Sequence, residues 1–125
     1  MLVGTTFAII SGQVIKVFRD HAPQGALSQT DIAKALDTSV MSVSRFEKGT
    51  GELSISDLEQ LALFFGVAPD AFLNIMLNVK NLLIQQGCVI LPNKHKVKGM
   101  KEFKKLDRSM IYEICKKIAL PHLSA

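Results

Sequence analysis

Tryptophan is absent from this chain, tyrosine occurs once, and only two cysteines and four prolines appear among 125 residues. No apolar run reaches the roughly 18–20 residues that a membrane span requires. The first fifteen residues are apolar but carry no basic flank, Lys16 being the first cation, which argues against a secretory leader. Cys88 and Cys115 are 27 positions apart with apolar neighbours, the pattern of buried thiols in a reducing cytoplasm. A disulfide or redox-sensing pair is the alternative. His21, His95 and His122 are scattered and offer no metal-ligand spacing. No nucleophile–base pairing, acid pair or phosphate-cradling glycine loop is present, so neither an enzyme nor a cofactor site is expected. There are no internal repeats.

What is present is a hydrophobic share of 48%, enough for one ordinary core, and a charge that is unevenly placed. Residues 94–125 hold nine Lys or Arg against three acids, whereas residues 1–93 hold six against eight. The net charge of +4 therefore belongs to the tail. Bulk charge does not make the first two thirds of the chain a polyanion binder; local geometry would have to do so.

The most informative stretch is Leu27–Gly49, which reads as two short amphipathic helices joined by a tight turn. Ser28 and Asp31 fit the [ST]-x-x-[DE] capping pattern, in which the hydroxyl takes an orphan backbone N–H. Ile32, Ala33 and Leu36 then share one face. Asp37-Thr38 makes the turn, aspartate being one of the few residues besides glycine that tolerate a left-handed backbone. Ser39 caps the next helix, Val43 and Phe46 face inward, and Gly49 stops it.

Further elements flank this pair. A first helix is expected from Thr5 or Thr6 to about Asp20, with Phe7, Ile10, Val14 and Phe18 at helical spacing. Ser54 and Asp57 repeat the capping pattern for a fourth helix that Gly66 closes. Pro69 opens a fifth, where proline is favoured at the first turn. With its flanks, the chain over residues 7–76 resembles the lambda-repressor-like, Cro-type (xenobiotic-response-element) family of helix-turn-helix DNA-binding domains. The matching anchors are Gly12–Arg19, the Leu27–Gly49 pair of helices ending in Ser44-Arg45-Phe46-Glu47-Lys48-Gly49, Leu53–Ala62 with Phe65-Gly66-Val67, and Pro69–Leu73.

The resemblance implies an all-α, five-helix DNA-binding domain over residues 5–86, with a basic C-terminal extension over 87–125. It implies that Gln29 contacts phosphate, where its amide and the helix N-terminus both suit an anion. It places Ser39, Val40, Met41, Ser44 and Arg45 on the face that meets base edges, with Ser42 and Lys48 near phosphates. Arg45 is the leading base reader, because a guanidinium pairs bidentately with guanine O6 and N7. Val40 and Met41 can pack on thymine methyls. The same resemblance makes Arg19 and Glu47 a structural ion pair, which locks the third helix to the first. Ile15, Phe18, Leu27, Ile32, Leu36, Val43, Phe46, Leu58, Leu61 and Ala62 are the predicted core.

The remainder is less specific. Phe72, Met76, Val79 and Leu83 mark one apolar face of the fifth helix, and Leu73, Leu77 and Ile84 a second, which needs cover from the tail or a partner. Cys88–Leu91 reads as a short strand, Lys94–Lys105 as a basic ribbon or poor hairpin, and Asp107–Ala119 as a capped final helix. Met110, Ile111, Ile114, Cys115 and Ile118 form the apolar face of that helix. The basic ribbon either adds salt-sensitive DNA affinity or is plain solvated surface. The expected function is a cytoplasmic, sequence-specific transcriptional regulator that binds double-stranded DNA as a homodimer. The Val89–Leu91 strand and the Ile111/Ile114/Ile118 face would widen that dimer interface. The alternative is an antitoxin-type interaction protein that autoregulates through the helix-turn-helix and holds a protein partner with its C-terminal half.

Overall fold

The computed structural model describes residues 2–92 and 103–123. Strand β1 (Leu2–Thr6) leads into α1 (Phe7–Asp20), followed by α2 (Gln29–Leu36), α3 (Val40–Lys48), α4 (Ile55–Phe64) and α5 (Pro69–Gln85). Strands β2 (Val89–Leu91) and β3 (Phe103–Lys105), helix α6 (Arg108–Ala119) and a 3-10 turn at Leu120–His122 complete it.

Each helix start has a local cause. Thr6 Oγ1 accepts from Ile9 N at 3.2 Å. Ser28 with Asp31 and Ser54 with Asp57 form reciprocal capping boxes at α2 and α4. Asp37 takes φ 51° between α2 and α3, the one non-glycine residue among those described with a left-handed backbone. Gly49 ends α3 at φ 75°, and a Cβ there would come within 2.8 Å of Ile9 N. Conformation and crowding both demand glycine at this position.

Helix α1 is the centre of the molecule. It is buried along an unbroken run from Ile9 to Ile15, because α3 covers one side and α6 another. Phe18 meets Phe72 edge-on at 5.1 Å and Phe65 at 5.3 Å, tying α1 to α5 and the end of α4. Ile32, Val43, Leu61 and Met76 complete the common core of α1–α5. Of the predicted core, Ile15, Phe18, Ile32, Leu36, Val43, Leu61 and Ala62 are buried, whereas Leu27, Phe46 and Leu58 are only half-buried.

The expectation of an all-α, five-helix fold needs correction: the described residues hold six helices and a three-stranded parallel sheet. Strand β1 lies in the middle, pairing Gly4 with Val89 on one edge and Leu2 with Phe103 on the other. Val3, Thr5 and Thr6 are β-branched and suit an extended backbone. β2 and β3 flank β1 rather than each other, so they form no hairpin. The basic residues between them, including Lys94, Lys96, Lys98 and Lys101, lie outside the described residues.

Helix α6 packs on α1 and α5 of the same chain. Ile111 and Cys115 are fully buried there, while Ile114 and Ile118 pack half-buried against the core. This face and the Val89–Leu91 strand pack within the chain, the strand through its pairing with β1. Met110, assigned to the same apolar face, is 57% exposed in the first turn of α6. Burial pushes the Cys115 thiol up to about 12, so it behaves as a small apolar side chain. Neither cysteine is in a disulfide.

Candidate nucleic-acid interface

The interface is built on α3, and α3 is held by its carboxyl end. Glu47, 5% exposed, is gripped by Arg19 of α1 through two parallel contacts, Nε to Oε2 at 2.8 Å and Nη2 to Oε1 at 2.9 Å. That hydrogen bond, more than any other influence, raises the Arg19 pKa. Arg19 Nη1 also donates to the Leu27 carbonyl at 3.1 Å, fixing the loop that leads into α2. Gln13 adds a buried amide hydrogen bond, Nε2 to the Glu47 carbonyl at 3.1 Å. A Cβ on Gly12 would lie 2.7 Å from that same carbonyl oxygen, so glycine is what lets α1 approach α3 so closely. Sequence reasoning missed Gln13, because nothing local distinguishes a polar residue on α1 that faces inward.

With Val43 and Glu47 buried, the opposite side of α3 is turned outward. Met41, Arg45 and Lys48 are exposed, and Ser44 between them is half-buried, forming a stripe at positions i, i+3, i+4 and i+7. Met41 is 64% exposed and Val40 43%, an unusual placement for apolar side chains on a short helix. Arg45 lies along the stripe with Nη2 3.4 Å from Met41 Sδ. Ser39 Oγ accepts from Ser42 N at 3.1 Å, and the two hydroxyls are 3.0 Å apart, so both belong in part to the helix cap.

Gln29 opens α2 beside this face, but its amide is engaged: Nε2 donates to Glu47 Oε1 at 3.1 Å. It is thus a third hand on Glu47, with its carbonyl oxygen and second N–H left for other partners. Gln29, Lys48, Lys16, Arg108 and Tyr112 line one open groove that runs from α3 to the start of α6. Of the sequence-predicted contact residues, Gln29 and Lys48 thus share a groove with α6 residues that no motif announced. Among the described residues no acidic, histidine or cysteine cluster is able to hold a metal, and no single helix is long and apolar enough to cross a membrane.

Residues 18–72, from the end of α1 into the first turn of α5, match the helix-turn-helix family model. No curated protein and no solved structure matches the chain. The matched segment contains the capped α2, the Asp37 turn, the Glu47-anchored α3 and all of α4. Over residues 18–72, somewhat less than half of the chain, the match supports a lambda-repressor- and Cro-like helix-turn-helix of the kind carried by DNA-binding transcriptional regulators.

Proposed function

We propose that this regulator recognises a specific double-stranded sequence as a homodimer, each copy laying α3 in a major groove. The observation that carries the reading is the outward stripe of Met41, Ser44 and Arg45 on a helix whose inner face is clamped by Arg19, Gln13 and Gln29 through Glu47. A base-reading side chain discriminates only if its backbone is held still, and a nearly buried bidentate ion pair does that. In this reading Arg45 takes a guanine edge, Val40 and Met41 meet thymine methyls, and Ser39 and Ser44 reach neighbouring polar edges. Ser42, Lys48 and the free half of the Gln29 amide take phosphates.

A helix of nine residues spans little more than one half-site, so a functional unit needs two copies about one helical turn of DNA apart, roughly 34 Å. Leu63, Phe64, Leu73 and Ile84 are each at least 40% exposed on α4 and α5, supplying apolar surface for the pairing. The same surface would serve an antitoxin-type protein that binds a foreign chain. Selection of bound sequences from random duplex DNA by the purified protein, with its mass measured in solution, tests the proposal, and co-purification of a second protein would favour the alternative. A dimer that enriches a two-fold symmetric site supports the proposal. A monomer that enriches nothing overturns it.

A further inference from the structure

Resting on the DNA-binding reading above, we infer that the C-terminal segment contributes a second, sequence-independent phosphate-contact wall beside the recognition helix, carried by Lys105 of β3 and Arg108 of α6. The family match ends at residue 72, so neither residue belongs to the matched domain. Yet both return to its DNA-facing side. Lys48, at the end of α3, lies on two grooves at once. One holds Lys105 together with Gly49 and Thr50, and the other holds Arg108 together with Gln29 and Lys16. Cations from α3, β3 and α6 thus rim the surface that continues from the proposed phosphate contacts at Gln29 and Lys48.

The acids nearby are already committed. Glu47 is held by Arg19, Asp20 by Arg19, Lys16 and Tyr112, and Glu113 pairs with Lys116 at 3.4 Å. Asp107 caps α6 by accepting from Ser109 N at 3.1 Å. Lys48, Lys105 and Arg108 are exposed, and among the described residues none has a carboxylate within ion-pair distance. Their unneutralised charge suits a polyanion held at fixed spacing, and phosphate contacts of this kind position the protein without reading bases. The parallel pairing of β3 with β1 and the packing of α6 on α1 make the wall a fixed part of the fold.

The test compares the full chain with a Lys105→Gln/Arg108→Gln variant, measuring affinity for the selected duplex across a series of salt concentrations. A Lys116→Gln/Lys117→Gln variant removes the same charge from the far end of α6 and serves as the control. Melting curves first establish that all three proteins fold alike. Loss of two phosphate contacts lowers the slope of log affinity against log salt by about 1.8, with the preferred sequence unchanged. The control is expected to keep the wild-type slope. An unchanged slope in the first variant, an equal drop in the control, or an altered sequence preference would each overturn the wall. A wild-type protein that binds no duplex at all would instead overturn the DNA-binding reading beneath it.

Discussion

Gln29 touches the Glu47 anchor while Arg45 lies on the outward face of α3, so the two should fail differently when removed. Arg45→Ala takes away an exposed guanidinium and is expected to cost about 1–3 kcal/mol of discrimination at one base position, leaving stability nearly unchanged. Gln29→Ala is expected to weaken binding to all sequences about equally, and also to lower the melting temperature, because its amide donates to Glu47. Binding profiles and melting curves on the two variants separate these roles; identical losses would refute the assignment. Glu47→Ala is expected to cost about 3 kcal/mol, since it strands Arg19 and releases Gln29 together. A calorimetric melt that matches wild type would show the pair to be dispensable. One residue works against the fold. Thr5 Oγ1 is buried with no hydrogen-bond partner among the described residues, a defect worth about 1–3 kcal/mol. Val is nearly the same shape, so Thr5→Val is expected to raise the denaturation midpoint, and a fall would mean the hydroxyl has a partner.

At the scale of elements, what could be recognised from sequence was whatever has a local cause. The Ser28/Asp31 and Ser54/Asp57 boxes, Asp37, Gly49, Pro69 and the Asp107 cap all act within a few residues of themselves, so α1–α6 begin and end close to where the pattern puts them. The sheet was legible only in part: Cys88–Leu91 reads as a short strand and contains β2, but β1, β3 and their pairing have no such signature. β1 is a five-residue stretch whose partners lie about 85 and 100 positions away, and nothing local announces that pairing. The docking of α6 was hidden for the same reason. It depends on Tyr112, the only tyrosine, whose hydroxyl donates to Asp20 at 2.8 Å and whose ring lies 4.6 Å beneath the Lys16 ammonium. Tyr112→Phe is expected to destabilise the protein by about 1 kcal/mol at neutral pH. Burial, with the Asp20 hydrogen bond next, raises the Tyr112 pKa, so folding favours the protonated phenol. That contribution is complete below the unfolded value near 10 and is lost as pH rises above it. Chemical denaturation at neutral pH and above about pH 10 should show the gap between wild type and variant closing. A gap that widens with pH would contradict the sign.

Across the whole molecule, the position of α6 changes how the tail must be tested. Truncation after Leu91 would strip Ile111, Cys115 and Ala119 from the core and uncover α1, so it reports on folding before it reports on DNA. Substitutions on the surface are the cleaner probe, and the pairing of two copies can be tested in the same way. α6 covers α1 and one side of α5, leaving Leu73 and Ile84 of α5 and Leu63 and Phe64 of α4 turned outward. No member of this set supports the core of its own chain to any large degree. A Leu63→Glu/Leu73→Glu variant is therefore expected to keep its melting temperature within a few degrees while sedimenting as a monomer. It should bind an isolated half-site as the wild type does and lose most of its preference for the two-half-site sequence, because the second contact is no longer delivered at fixed spacing. A variant that remains dimeric would place the dimer contact elsewhere. A variant that is monomeric yet still prefers the full site would show that two copies are brought together by the DNA rather than by α4 and α5.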